Sequence, residues 1–144
     1  MVHIKDEGST FDAPIDVVWQ YLQSDMEHGQ AHKSRRNVTS KELGPNAIEL
    51  SFDQEVNGQW VRSTARLTML PPVGFSVEPL DGPLSGSKFY NFYTPRGDKT
   101  EVTVVGEYTS KMIPATQLEQ AVLANNEKVF REDSEGIREY RSKR

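Results

Sequence analysis

The sequence contains no cysteine. Disulfide bonds, thiol chemistry and zinc sites built from thiolates are therefore excluded. No stretch approaches the roughly 18 consecutive apolar residues that a membrane-spanning helix needs, so no stable membrane insertion is expected. The chain also lacks a surplus of positive charge, because its formal net charge is -4. Proteins that bind nucleic acid usually carry a basic face, and we therefore expect no nucleic-acid partner.

The first residues, MVHIKDEGSTF, lack the apolar core of a signal peptide, which predicts a cytoplasmic location. A length of 144 residues is typical of one domain. No repeat, low-complexity segment or linker divides the chain, so residues 1–144 are expected to form a single domain. At this size folding hides roughly 68% of the surface of the unfolded chain, which is enough for a core without disulfides.

A short helix is predicted after a first strand in HIKDEGSTF. Pro14 suits the first position of a helix, and the helix is expected to end near Asp25. The apolar residues that follow Pro14 recur at the spacing of one helical face. They are Ile15, Val18, Trp19 and Leu22.

The chain then changes to an alternating pattern that is typical of strands, from Asn37 to Lys111. Turn signals separate the segments, and the strongest is Asn57-Gly58, which favours a two-residue hairpin. The short loops predict an antiparallel meander. Its six segments are NVTSKEL, AIELSFDQEV, WVRSTARLTML, GFSVEPL, KFYNFYT and EVTVVGEYTS.

A long C-terminal helix is predicted from Thr116 to Arg141. Thr116 and Glu119 have the spacing of a capping box, and an apolar stripe follows. The helix would be about 39 Å long at ~1.5 Å per residue, so we expect it to lie across the sheet. The stripe comprises Leu118, Val122, Val129, Phe130, Ile137 and Tyr140.

Two segments resemble a known superfamily. FDAPIDVVWQYLQSD is similar to the opening signature of START, polyketide-cyclase and birch-pollen-allergen-like (SRPBCC) proteins, and GDKTEVTVVGEYTS is similar to their penultimate element. The resemblance implies an α+β helix-grip fold. In that fold a seven-stranded curved antiparallel sheet wraps around a long C-terminal helix, with two short helices after the first strand. It also implies a cavity between sheet and helix, because such a sheet leaves the space beneath the helix incompletely filled.

Candidate ligand-binding residues are those expected to face this cavity. On the predicted strands they share the apolar parity, and on the long helix Asn126 and Asp133 are polar residues on or beside the buried stripe. The segment KFYNFYT is aromatic on both parities, so its inward set is undecided. Small inward residues such as Ser63, Ala65 and Gly106 indicate unfilled space, although core packing explains each residue singly. The candidates are Phe52, Ser63, Ala65, Leu67, Met69, Tyr90, Phe92, Tyr108, Asn126, Phe130, Asp133 and His32.

His28 and His32 lie four residues apart, the spacing of a metal-chelating pair on a helix. A catalytic metal site normally needs a third protein ligand, and none is apparent, so neither a metal nor another cofactor is expected. A second short helix is expected in this segment, beside the entrance of the cavity. There a basic cluster would surround the entrance and attract an anionic head group. The cluster comprises Lys33, Arg35 and Arg36.

These patterns favour binding, transport or sensing of a small hydrophobic ligand, either lipid-like or aromatic. No motif demands catalysis: the chain has no G-x-S-x-G sequence, so enzymatic activity is left open. One alternative is an enzyme of the polyketide cyclase/dehydratase type, with Asp133, Tyr108 or His32 steering proton transfers. Another is a co-chaperone-like module that binds a protein whose identity the sequence does not give. The resemblance covers all three, because a fold alone does not determine function.

Overall fold

A computed structural model of the chain describes residues 1–28, 34–56 and 58–143. It contains seven strands and, in these ranges, two helices. In chain order the elements are β1 (Val2–Phe11), α1 (Ile15–His28), β2 (Arg35–Gly44), β3 (Ala47–Val56), β4 (Gln59–Leu70), β5 (Gly74–Asp81), β6 (Lys88–Arg96), β7 (Lys99–Tyr108) and α2 (Ala115–Ser142).

The seven strands form one antiparallel sheet in the order β1-β7-β6-β5-β4-β3-β2. From β2 to β7 each strand pairs with the next along the chain, as the short loops predict. β1 then pairs with β7, with Val2 opposite Tyr108 at one end and Phe11 opposite Thr100 at the other. The curved sheet and the long C-terminal helix confirm the predicted helix-grip fold.

Helix α1 packs on the sheet through a broader face than the sequence pattern indicated. Val18 is completely buried, and Val17 and Tyr21 are buried beside it. Trp19 is only half-buried. Its indole Nε1 donates a hydrogen bond to the carbonyl of Pro72 at 2.9 Å, and its ring meets Tyr93 edge-on at 5.7 Å. Trp19 therefore ties α1 to the β4–β5 loop, while Val18 fills the core.

Helix α2 has 28 residues and is about 42 Å long at ~1.5 Å per residue, so it crosses the sheet as expected. The predicted capping box is wrong. The N-cap is Pro114, no side chain caps the first turn, and Thr116 already lies inside the helix. Neither described helix is long and apolar enough to span a membrane. The buried residues of α2 are Leu118, Val122, Asp133 and Ile137.

The segment between α1 and β2 differs from the expectation. α1 continues to His28, past the predicted end near Asp25, and Arg35 and Arg36 are already paired with β3. The prediction that these two arginines belong to a second short helix is therefore wrong, because backbone hydrogen bonds to β3 hold them in an extended strand. The rest of that helix prediction falls on residues 29–33, which lie outside the described residues.

Replacement of Trp19 by alanine should lower the free energy of unfolding by about 2–3 kcal/mol, less than the ~3–5 kcal/mol of a fully buried aromatic residue. The loss combines the packing on Tyr93 with the hydrogen bond to Pro72. The matched control is Trp60→Ala, because Trp60 is 43% exposed at the start of β4. That control should cost less than ~1 kcal/mol. Equal losses in urea denaturation would contradict the assigned role of Trp19.

Candidate ligand-binding site

A cavity of about 190 Å³ lies between the inner face of the sheet and α2. All seven strands and both helices contribute to its walls. Most of the lining is apolar or aromatic, which is typical of small-molecule sites. The apolar lining includes Phe11, Leu22, Leu50, Phe52, Ala65, Leu67, Phe75, Val102, Val104 and Phe130.

The predicted parity of β3 and β4 is confirmed. Phe52, Ser63, Ala65 and Leu67 are all buried and line the cavity. Met69, on the same face of β4, lies beyond the cavity and packs against the cluster formed by its neighbours on the inner face. The alternation of apolar and polar residues was therefore sufficient to assign the inner face of these two strands.

Strand β6, whose inward face the sequence left undecided, does not bring the candidate residues Tyr90 and Phe92 to the cavity. Phe89, Asn91 and Tyr93 line the cavity. Tyr90 and Phe92 lie on the outer face, where their rings stack at 5.7 Å between centroids. Their assignment to the cavity is therefore wrong. Because KFYNFYT is aromatic on both parities, hydrophobicity carried no information about which face points inward.

Tyr108 is buried but does not line the cavity. It packs in a separate cluster with Ile4, Leu118 and Val122. Its hydroxyl accepts or donates no hydrogen bond within the described parts of the chain. Burial raises the pKa of this hydroxyl and the charge of Asp6 adds to the effect, while the nearby Asn126 amide opposes it. Tyr108 is therefore a core residue at one end of the helix rather than a wall of the cavity.

Gly106 does not provide the open space that its small size indicated. A Cβ atom at this position would collide with the Cβ of Phe89 and with the carbonyl oxygen of Lys88. The glycine thus allows β6 and β7 to approach closely. The inference of room at Gly106 is wrong, whereas Ala65 does border the cavity.

A polar group of residues forms where α1 and α2 meet. Asp133 is 8% exposed and lines the cavity together with Asp25. The hydroxyl of Tyr21 donates a hydrogen bond to Asp133 Oδ1 at 2.9 Å. Burial, followed by the negative charges of Asp133 and Asp25, raises the pKa of Tyr21 far above its usual value. Tyr21 therefore remains a neutral donor to the buried carboxylate.

Gly136 makes this arrangement possible. A Cβ atom there would contact the hydroxyl and the ring of Tyr21. Tyr21 follows Val18 by three residues, so the helical period of α1 could have identified it as an inward residue. Its hydrogen bond to Asp133 spans 112 positions of the sequence and has no local signal.

Arg35, expected at the entrance, is a half-buried residue of the cavity wall. Its guanidinium carbon lies 4.6 Å from the centroid of the Phe52 ring. Burial lowers the pKa of this guanidinium, whereas the charges of Asp133, Asp25 and Glu132 oppose the shift. Arg36 faces the other way and lies 4.0 Å from the ring centroid of Trp60. The side chains of the two arginines therefore lie on opposite faces of the sheet. Lys33, the third residue of the predicted cluster, lies outside the described residues.

The long helix contributes two further predicted residues. Asn126 lines the cavity and donates a hydrogen bond to Asp6 Oδ2 at 3.3 Å. Phe130 also lines it, and its ring stacks on Phe11 with the centroids 4.8 Å apart. The structure thus brings seven of the predicted residues to one cavity. They are Phe52, Ser63, Ala65, Leu67, Asn126, Phe130 and Asp133.

The histidine pair falls largely outside the described part of the chain, which includes neither His32 nor the side chain of His28. The roles predicted for these residues therefore remain predictions. Within the residues that are described, no three histidine or acidic side chains lie close enough together to hold a metal ion.

The raised pKa of Tyr21 predicts a loss of stability in alkali. The usual pKa of tyrosine is 10.0, so above that pH the unfolded chain loses a proton that folded Tyr21 retains. Stability should then fall with rising pH by ~1.4 kcal/mol per unit for this residue. Tyr21→Phe should remove this contribution to the slope, which corresponds to about one proton. At neutral pH the same substitution should lower the free energy of unfolding by ~1–3 kcal/mol.

The measurement is urea denaturation from about pH 8 to about pH 11, analysed as the slope of unfolding free energy against pH. Tyr108→Phe serves as a parallel variant, because the pKa of Tyr108 is also raised. An unchanged slope in Tyr21→Phe would show that this hydroxyl is not held neutral by its surroundings.

Comparison with known proteins supports the fold. No protein-family model matches the chain, and no curated protein is similar in sequence. Among solved structures, the Zhui aromatase/cyclase from Streptomyces sp. R1128 superposes with a TM-score of 0.72 at 15% identity, covering 94% of this chain and 90% of that protein. A START superfamily protein from Mycobacterium smegmatis superposes with a TM-score of 0.74 at 12% identity. The superposition covers 96% of this chain and 98% of that protein.

The di-domain aromatase/cyclase StfQ from the steffimycin biosynthetic pathway gives a TM-score of 0.79 at 15% identity, covering 98% of this chain. This chain spans about half of StfQ, 52% of its length. At these identities the likeness concerns the course of the backbone. The chain therefore has the helix-grip fold that these aromatase/cyclases share with START superfamily proteins.

Proposed function

We propose that this protein binds one small hydrophobic molecule in the cavity between the sheet and α2. The observation that carries the proposal is the cavity itself, which is lined mainly by apolar and aromatic side chains. A few polar groups converge on it, including Asp25, Arg35 and Asp133. An apolar wall with a small number of placed polar groups is the usual composition of a ligand site.

The volume favours a compact aromatic ligand over a long lipid. A dry cavity of about 150 Å³ lined by apolar side chains accommodates a benzene molecule. The cavity of about 190 Å³ is somewhat larger. Drug-sized ligands occupy sites of about 300–1,000 Å³, so a sterol or an extended fatty acid would require the walls to move apart. One or two aromatic rings match the space that the side chains leave.

A neutral two-ring probe, 2-naphthol, should bind with one-to-one stoichiometry, measured by fluorescence titration. Ala65→Phe should weaken this binding at least about tenfold, because the new ring occupies the cavity that Ala65 borders. Filling a true cavity costs less stability than the roughly 1–3 kcal/mol of overpacking a tight core.

The matched control is Thr68→Phe, which adds the same ring to β4 at an exposed position on the opposite parity. It should leave probe affinity unchanged. If the parent protein does not bind the probe at micromolar concentration, and Ala65→Phe is strongly destabilised, the interior is solid and the proposal fails.

A second candidate is an enzyme that closes rings by aldol condensation and loss of water. The observation that favours it is the buried hydrogen bond between Tyr21 and Asp133 at the cavity wall. A carboxylate next to an apolar chamber is a suitable group for moving a proton within a bound substrate. Two of the superposed proteins are aromatase/cyclases, which supports this candidate by likeness of fold alone.

Incubation with a short poly-β-ketone thioester, followed by mass spectrometry, separates this candidate from simple binding. An enzyme should convert the probe to a product lighter by one or more waters, and Asp133→Asn should abolish conversion while binding of 2-naphthol survives. Recovery of the unchanged probe under conditions where it demonstrably binds would rule out this reaction for that class of substrate.

A further inference from the structure

We propose that the ligand is a small aromatic acid whose carboxylate is held by Arg35. The inference rests on the proposed binding function and adds the chemical class of the ligand. Arg35 lines the cavity and lies against the ring of Phe52. A guanidinium offers five N–H donors in a planar fork that matches a carboxylate.

The donors of Arg35 are available to a ligand. Within the described parts of the chain, no side-chain or backbone oxygen accepts a hydrogen bond from its guanidinium, whose stacking on Phe52 fixes its position. A half-buried cation without an acceptor costs free energy, because it has given up part of its hydration. A carboxylate entering the cavity would supply that acceptor.

Three carboxylates act on Arg35, those of Asp133, Asp25 and Glu132, and donors to two of them are seen directly. Asp133 accepts the Tyr21 hydroxyl at 2.9 Å. Glu132 accepts hydrogen bonds from both the backbone N–H and the hydroxyl of Ser34, each at 3.1 Å. Because their charges favour the charged form of Arg35, they maintain the cation that the ligand would meet.

A bulge in β2 turns Arg35 into the cavity. Arg36 pairs with Asp53 of β3, and Thr39 pairs with Ser51. Two residues of β2, Asn37 and Val38, therefore lie opposite the single residue Phe52 of β3. Residues three apart on a regular strand point to opposite faces, yet both Arg35 and Val38 line the cavity. Asn37 accommodates the extra residue by adopting a positive φ of 53°. Asparagine tolerates this conformation, whereas β-branched residues resist it.

Side chains on the outer face support the bulge. Asn37 Nδ2 donates to Asp53 Oδ2 at 2.7 Å, and Arg62 Nη1 donates to the carbonyl of Asn37 at 2.7 Å. Arg62 also contacts Asp53 Oδ1 at 3.2 Å. This network holds the backbone on either side of Asn37, so Asn37 is a positioning residue for Arg35.

The aromatic part of the proposed ligand follows from the cavity. Phe52 lies under the guanidinium, and the stacked pair of Phe11 and Phe130 forms another part of the wall. Flat rings stack on such surfaces at offset or edge-on geometries. A two-ring acid would therefore place its ring among aromatic side chains and its carboxylate on Arg35.

The experiment compares three probes of one shape: 2-naphthoate, 2-naphthol and 2-naphthylmethylammonium. Wild-type protein should bind naphthoate at least about tenfold more tightly than naphthol, which is the expected minimum for a charged hydrogen bond. Arg35→Met should remove that preference and retain naphthol binding. Arg36→Met is the matched control, because Arg36 lies on Trp60 outside the cavity, and it should retain the preference.

The outcomes separate this inference from the function on which it rests. Equal binding of naphthoate and naphthol by wild-type protein, or tighter binding of the ammonium probe, overturns the aromatic-acid assignment and leaves the binding function standing. Failure of all three probes to bind overturns both. The comparison of probes on wild-type protein needs no variant, so it stands even if Arg35→Met fails to fold.

Two variants of Asn37 test the bulge. Asn37→Gly retains easy access to positive φ and should keep most of the preference for naphthoate. Asn37→Val resists that conformation and should reduce the preference at least about fivefold while naphthol still binds. If Asn37→Val keeps the full preference, the bulge does not position Arg35.

Discussion

The contact between α1 and α2 at Tyr21 and Asp133 constrains the rest of the structure. A buried carboxylate is unfavourable unless a donor accompanies it, and Tyr21 provides that donor at 2.9 Å. The contact requires the two helices to approach so closely that Gly136 has no room for a side chain. Glycine inside a helix costs about 1 kcal/mol relative to alanine, so the close approach is retained at some expense of helix stability. The C-terminal half of α2, which contacts α1, is thereby held in place against the sheet.

The other parts of α2 are held by different contacts. Leu118 and Val122 pack with Ile4 and Tyr108 near the beginning of the helix, whereas Ile137 joins the α1 cluster near its end. Between these two anchors the helix presents Asn126, Val129 and Phe130 to the cavity. A long helix supported at both ends spans the curved sheet without filling the space beneath its middle. The cavity is thus a consequence of where the core residues of α2 are placed.

The sequence predicted the fold well because its patterns are local. Alternation identified the inner face of β3 and β4, and helical spacing identified α1 and α2. The same logic could not decide the inner face of β6, because aromatic residues lie on both parities: Phe89 and Tyr93 on one, Tyr90 and Phe92 on the other. Arg35 was expected in a second short helix at the entrance, and it lies instead in β2, where one bulge at Asn37 changes the parity of the residues before it. The contact of Tyr21 with Asp133 joins distant segments, and no local pattern encodes such a pair.

Three residues that lower stability lie together at one end of the cavity. Asp133 is a buried acid, Arg35 is a desolvated cation and Gly136 weakens a helix, and all three lie at or beside the same wall. Elsewhere in the core most buried residues are apolar, and the buried hydroxyls of Ser63, Ser87 and Thr100 have hydrogen-bond partners. Violations of that pattern are expected where a protein keeps a functional group in place at the expense of stability. The polar end of the cavity is therefore where recognition of a ligand is best explained. The apolar walls account for its size and shape.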